Sequence, residues 1–130
     1  MIIFMRSIEQ TNLYSLTKYI DNFIYLHDNK KLPNKIMLSG YKGIGKSVLA
    51  FHLINYILSR KENNQYNKKE YIINNSNKSF KLVNENIHPN FYYIELEDEK
   101  KSIGIDQVRN IISFCNKSSF NNSERIVLIN

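Results

Sequence analysis

The chain has 130 residues, 42% of them hydrophobic, which is enough for one modest domain with a real core, argues against wholesale disorder, and makes the chain a piece or a partner of any large catalytic machine. Lys+Arg 18 against Asp+Glu 12 leaves a formal charge of +6, but Asn, Ile and Lys together make up roughly two-fifths of the residues, the bias that AT-rich codons produce, so the charge is weak support for a polyanion partner. A lone cysteine, Cys115, excludes an internal disulfide framework and any multi-cysteine zinc site, and fits a reducing cytoplasm.

The apolar start, residues 1–6, has no leading positive region and no small-residue cleavage site, and no later run approaches the length of a membrane span. A cytoplasmic protein with no membrane partner is therefore expected. From 11 to 27, Leu13, Leu16, Ile20, Phe23, Ile24 and His27 recur at three- and four-residue steps, the one-sided stripe of an amphipathic helix. Residues 28–34 break it.

The short apolar run 35–39 then predicts a buried strand, and a glycine-rich turn follows it. Between 46 and 59, Val48, Leu49, Ala50, Phe51, Leu53, Ile54, Ile57 and Leu58 surround most of a helix, which predicts a helix covered on most sides. Residues from about 60 to 87 turn to Asn, Lys, Ser and Tyr with little periodicity and read as a polar insertion, a loose solvated segment with a short strand at 71–73.

After His88, Pro89 and Asn90, residues 91–96 have the aromatic and branched character of a strand. A charged connection at 97–102 leads to a helix marked by Ile105, Val108, Ile111, Ile112 and Cys115, with Asp106 near its N-terminus where a negative charge suits the helix dipole. Residues 125–130 read as a further buried strand. Strands alternating with helices predict an α/β fold of βαβ units with a parallel sheet covered on both faces. Because the chain stops on that strand, residues 1–130 are expected to be the N-terminal part of something longer, with the sheet incomplete.

The residues Gly40, Tyr41, Lys42, Gly43, Ile44, Gly45, Lys46 and Ser47 satisfy the pattern of glycine, four residues, then Gly-Lys-Ser. With a strand entering and a helix leaving, successive backbone N–H groups converge on a phosphate chain. Lys46 is placed to reach the β- and γ-phosphates of ATP, and the Ser47 hydroxyl to ligate Mg²⁺. A second element, an apolar strand ending in an acid, is expected to hold the magnesium shell; here the strand 126–129 ends in Asn130, whose amide carries no charge, so binding is expected and hydrolysis is expected to be slow. No catalytic residue is assigned.

Other candidates have blander readings. Glu95, Glu97, Asp98 and Glu99 stand beside Lys100 and Lys101 as a solvated charged loop. His27, His52 and His88 lack metal-ligand spacing and read as surface or helix-packing residues, and Cys115 reads as a small core residue. Lys61, Lys68, Lys69, Lys78 and Lys81, interleaved with Tyr66, Tyr71 and Phe80, are a weaker nucleic-acid candidate.

The order of these pieces carries more than any one of them. The leading helix, Leu32-Pro33-Asn34 before the apolar run, the Lys42-to-Ser47 loop, His88-Pro89-Asn90-Phe91, the Ile103-to-Arg109 segment Ile-Gly-Ile-Asp-Gln-Val-Arg and the strand 125–129 together resemble the AAA+ clamp-loader subunits of bacterial DNA polymerase III, the delta-prime family in particular. The absence of a cysteine-rich zinc module and of an acid at Asn130 favours delta-prime over the motor subunits. The resemblance implies a three-layer P-loop NTPase fold of the AAA+ type, with residues 1–130 the N-terminal part of its nucleotide-binding domain, and a non-motor part of the polymerase holoenzyme, in a hetero-pentamer with other clamp-loader subunits, that loads the sliding clamp onto primed DNA. Two readings compete with it: a small P-loop nucleotide or nucleoside kinase, for which no arginine-rich lid segment is found, and a lysine-rich nucleic-acid-binding module with a vestigial loop.

Overall fold

Apolar residues at helical spacing draw Thr17–Asp28 into α1, whose buried face is Ile20, Ile24 and His27. The structure, a computed structural model, describes residues 6–96 and 102–130. Its further elements are α2 (Lys46–Leu58), α3 (Lys78–Asn84), β1 (Phe91–Ile94), α4 (Ile105–Asn116) and β2 (Ile126–Ile129), giving an α/β fold. The chain divides into two compact units, Met1–Lys81 and Leu82–Asn130. The expectations for residues 1–5 and for the acidic and basic residues 97–101 lie outside the described residues.

In the first unit α1 and α2 form a core of Leu13, Ile20, Ile24, Leu49, Leu53, Tyr56, Tyr66 and Ile73. Fully burying an aliphatic side chain such as Ile20 stabilises the fold by about 1.5–3 kcal/mol. As the sequence predicts, α2 is covered on most sides, with every residue from Leu49 to Tyr56 buried. α1 ends in a left-handed turn: Lys30 has φ 55°, its N–H donates to the His27 carbonyl at 3.0 Å, and the Lys31 N–H donates to the Leu26 carbonyl at 2.8 Å. These two bonds satisfy carbonyls that the helix leaves open.

Two sequence expectations are corrected here. α1 starts at Thr17, not 11, because residues 11–13 are drawn into extended pairing: the Leu13 N–H donates to the Tyr71 carbonyl at 3.1 Å and the Ile73 N–H to the Thr11 carbonyl at 2.9 Å. The polar insertion is folded, not loose, and residues 71–73 are the segment that pairs. Tyr66 and Ile73 enter the core, while Asn77, wholly buried, exchanges amide hydrogen bonds with Asn55 at 3.2 and 3.4 Å. Asn77 also accepts the Phe80 N–H at 2.8 Å, and Glu62 accepts the N–H groups of Lys78 and Ser79 at 2.7 and 2.9 Å, so both side chains cap α3.

In the second unit β1 and β2 pair in parallel, with Phe91 opposite Ile126 and Ile94 opposite Ile129, and α4 lies between them in sequence, the expected βαβ order. Tyr92 stacks on Phe114 of α4 with ring centroids 5.5 Å apart. The buried Asn90 amide donates to the Phe120 carbonyl at 2.9 Å and accepts the Phe120 N–H at 2.8 Å, anchoring the turn before β2. The Arg125 guanidinium donates to the carbonyls of Phe114 and Ser118, tying the end of α4 to the same turn.

The apolar stripe of α4 is only partly covered. Ile111 and Phe114 are half-buried, while Ile105, Val108 and Ile112 are exposed, and Cys115 is exposed rather than a core residue. A two-stranded sheet is too narrow to cover the whole stripe. For the same reason β2 is half-buried to exposed rather than fully buried.

The strand expected at 35–39 does not form. Met37 is 89% exposed and Leu38 alone of this run packs against the core; the segment pairs with no described strand, and an apolar run becomes a strand only by hydrogen bonding to a neighbour. Among the described residues no helix is long and apolar enough to cross a membrane.

Candidate functional site

Gly40, Tyr41, Lys42, Gly43, Ile44, Gly45, Lys46 and Ser47 form one continuous turn that runs into the first turn of α2. Gly45 is the N-cap residue of α2, at φ 98°, and Gly43 sits at φ 84°; both lie in the left-handed region that side chains with a Cβ rarely adopt. The turn bends through Gly43 and feeds into the helix through Gly45, a path that would be strained with any other residues there.

The turn closes on itself through Lys46. Its Nζ donates to the Gly40 carbonyl at 2.9 Å and to the Tyr41 carbonyl at 2.8 Å, while the Ile44 N–H points to the Tyr41 carbonyl at 3.4 Å. The lysine ammonium is thereby held at the loop instead of extending into solvent. Because the N-cap residue is a glycine, it offers no side-chain cap to the first turn of α2. A Cβ placed on Gly43 would meet nothing within 4 Å, so the surface of the turn is open at that point.

This arrangement unites the loop residues named from the sequence but differs from expectation in its entry, since residues 35–39 are not paired as a strand. Tyr41 and Lys42 are exposed, whereas Gly45, Lys46 and Ser47 are half-buried. One residue near the loop was not foreseen: Leu16, left-handed at φ 64° as the N-cap of α1, places its Cδ1 3.7 Å from the Cβ position of Gly45. In sequence Leu16 is just another member of an apolar stripe, so only folding brings it to the loop.

Asn130, which stands where an acid was expected, continues β2. Its N–H donates to the Ile94 carbonyl at 2.9 Å and its side-chain amide to the Tyr93 hydroxyl at 3.3 Å.

The histidines divide as helix-packing residues. His52 is fully buried, with Nδ1 2.9 Å from the Tyr66 hydroxyl and Nε2 3.0 Å from the Gln10 carbonyl. A carbonyl only accepts, so Nε2 carries the proton and Nδ1 accepts from Tyr66. Burial pushes the imidazole down to about 4, against the smaller opposing effect of the Gln10 carbonyl. His27 is buried edge-on to Tyr56, and the half-buried His88 accepts the Asn90 N–H at 3.1 Å.

Of the residues interleaved in the insertion, Lys61, Lys68, Lys69, Lys78 and Lys81 are exposed, while Tyr66 is buried and Tyr71 and Phe80 are half-buried against the core. The aromatic rings are thus part of the packing rather than a stacking platform. Beside them Asp28 accepts the Tyr56 hydroxyl at 2.5 Å and faces Arg60 and Lys68 at 3.6 and 3.7 Å. The Tyr56 hydrogen bond, helped by these cations, holds the Asp28 carboxyl below its usual range, while burial and then Asp28 push Tyr56 up to about 12. Among the described residues no cluster of three or more His, Cys, Asp or Glu side chains has the placement of a metal site.

Comparison with known proteins gives concordant matches. Residues 16–130 match the family described as DNA polymerase III, delta subunit. Over 124 residues, 91% of the chain, the sequence is 29% identical to the DNA polymerase III subunit delta' of Buchnera aphidicola subsp. Baizongia pistaciae (strain Bp), and it spans 35% of the length of that curated relative.

Proposed function

Because the chain belongs to the DNA polymerase III delta-subunit family, we propose that it serves DNA replication as a delta-prime-type clamp-loader subunit whose glycine loop binds the phosphates of ATP. Its partners in this reading are the other subunits of a hetero-pentameric loader and, through that complex, the sliding clamp and primed DNA.

The observation that carries the nucleotide reading is the Lys46 ammonium held at a glycine turn that enters α2 through a glycine N-cap. A triphosphate tail offers charged oxygens in place of two neutral carbonyls. A phosphate oxygen carries charge where a carbonyl does not, so Coulomb attraction between opposite charges adds to the ammonium's hydrogen bond and would draw Lys46 away from Gly40 and Tyr41. The loop amides and the positive end of α2 would then face the β- and γ-phosphates. Ser47 would ligate Mg²⁺, whose chemical contribution is to neutralise phosphate charge.

Asn130 bears on turnover. An amide at the end of β2 supplies no negative charge to a magnesium shell, which supports a subunit that binds nucleotide with weak or absent hydrolysis.

Titration of the chain with a fluorescent ATP analogue in the presence of Mg²⁺, beside its Lys46→Ala variant, tests the loop. The variant should bind at least ten-fold more weakly. Equal binding by the two proteins would remove the assignment.

A further inference from the structure

We infer that the groove formed by the segment following α2 is a binding site for single-stranded nucleic acid, separate from the glycine loop. Residues 60–81 hold six Lys or Arg against two Glu, so a net +4 of the chain's +6 is concentrated in this stretch. The two glutamates are engaged locally: Glu62 accepts the first N–H groups of α3, and Glu70 accepts the Asn67 side-chain amide at 2.9 Å. All six basic residues are exposed.

Arg60, Lys68 and Lys69 line one open groove of about 1010 Å³. The carboxylate that lines it, Asp28, accepts the Tyr56 hydroxyl and faces two of these cations at 3.6 and 3.7 Å. One carboxylate against three cations leaves the groove at +2, and Lys69 contributes to this excess with no ion pair among the described residues. Such an excess favours a polyanion.

The rest of the lining narrows the class. The side-chain amides of Asn63, Gln65 and Asn75 are exposed in the groove and have no hydrogen-bond partner among the described residues. An amide presents a donor and an acceptor together, the pairing that base edges offer. Cations for phosphates beside free amides for bases suit an extended strand with unstacked bases, and a concave groove admits a strand more readily than a convex duplex. The aromatic rings of this segment are turned into the core, so recognition here relies on charge and amides rather than stacking.

Fluorescence anisotropy with a labelled, mixed-sequence single-stranded DNA of about 15 nucleotides tests the site on the 130-residue chain. With three phosphate contacts and a slope of about 0.7 per contact, affinity should fall roughly 20-fold between 50 and 200 mM salt. Lys69→Ala should weaken binding and reduce the logarithmic salt slope by about 0.7, while Asn63→Ala should weaken binding with the slope unchanged. Lys46→Ala should lose the ATP analogue and keep the strand, so the two sites fail independently. Three results would overturn the inference: salt-independent or absent binding, a Lys69→Ala slope equal to the parent's, or displacement of the strand by duplex DNA or polyglutamate as readily as by unlabelled strand.

Discussion

The Tyr66 hydroxyl, 14 residues beyond His52 in sequence, lies 2.9 Å from the imidazole Nδ1 and joins the polar segment after α2 to the middle of that helix. With Nε2–H donating to the Gln10 carbonyl, both ring nitrogens are satisfied in the neutral form. The buried ring therefore resists protonation, and its folded value of about 4 lies below the usual 6.5.

Stability is expected to depend on pH through this residue. Between about 4 and 6.5 the unfolded chain binds the His52 proton and the folded chain does not, so His52 contributes its full stabilisation above pH 6.5. That contribution falls away as the pH drops through 6.5 towards 4, by roughly 3 kcal/mol in all. Urea denaturation at pH 4, 5, 6 and 7.5 should show the slope, and a His52→Phe variant should flatten it. Tyr66→Phe leaves Nδ1 without a donor and should cost about 1–3 kcal/mol at neutral pH.

Asn77 and Asn55 give a second prediction. Asn77→Ala strands the buried Asn55 amide, takes the donor from the Asn64 carbonyl and removes a cap from α3. A loss of about 2–4 kcal/mol is expected in chemical denaturation, from unsatisfied polar groups and the lost cap together.

Lys30 occupies a left-handed position at the end of α1, where glycine is ordinarily favoured. Lys30→Gly should stabilise the fold by about 0.5–1 kcal/mol, because relief of backbone strain outweighs the greater freedom of the unfolded glycine. A thermal melt raised by a few degrees would be the signature, and a lowered one would contradict it.

Gly45 combines the left-handed backbone with a place beneath the lysine loop. The nearest contact of an added methyl, Leu16 Cδ1 at 3.7 Å, is ordinary, so Gly45→Ala should cost only about 1–2 kcal/mol, the strain at φ 98°. On the proposed nucleotide reading, ATP-analogue binding should fall as well, since the backbone at the N-cap of α2 would be redirected.

Much was legible from local pattern. The covering of α2 from Leu49 to Tyr56 follows from apolar residues on nearly every face, and the βαβ order of β1, α4 and β2 follows from alternating branched runs and a helical stripe. The start of α1 was not legible, because Leu13 fits the helical stripe as well as it fits the extended pairing with Tyr71. Nor was the folding of the segment at 60–87, which rests on particular polar pairings: Asn77 with Asn55 of α2, and the first amides of α3 with Glu62.

The amino-acid sequence by itself determined α2, α4, the body of α1, the parallel pair of strands and the glycine spacing of the loop, since periodicity and backbone freedom act between residues a few positions apart. Only the tertiary structure decided that Lys46 turns back to the Gly40 and Tyr41 carbonyls, that Leu16 packs beside Gly45, and that an asparagine-rich stretch becomes core on one side and a charged groove on the other. Those outcomes depend on which distant polar groups can satisfy each other once water is excluded, and that requires the chain to be closed in three dimensions.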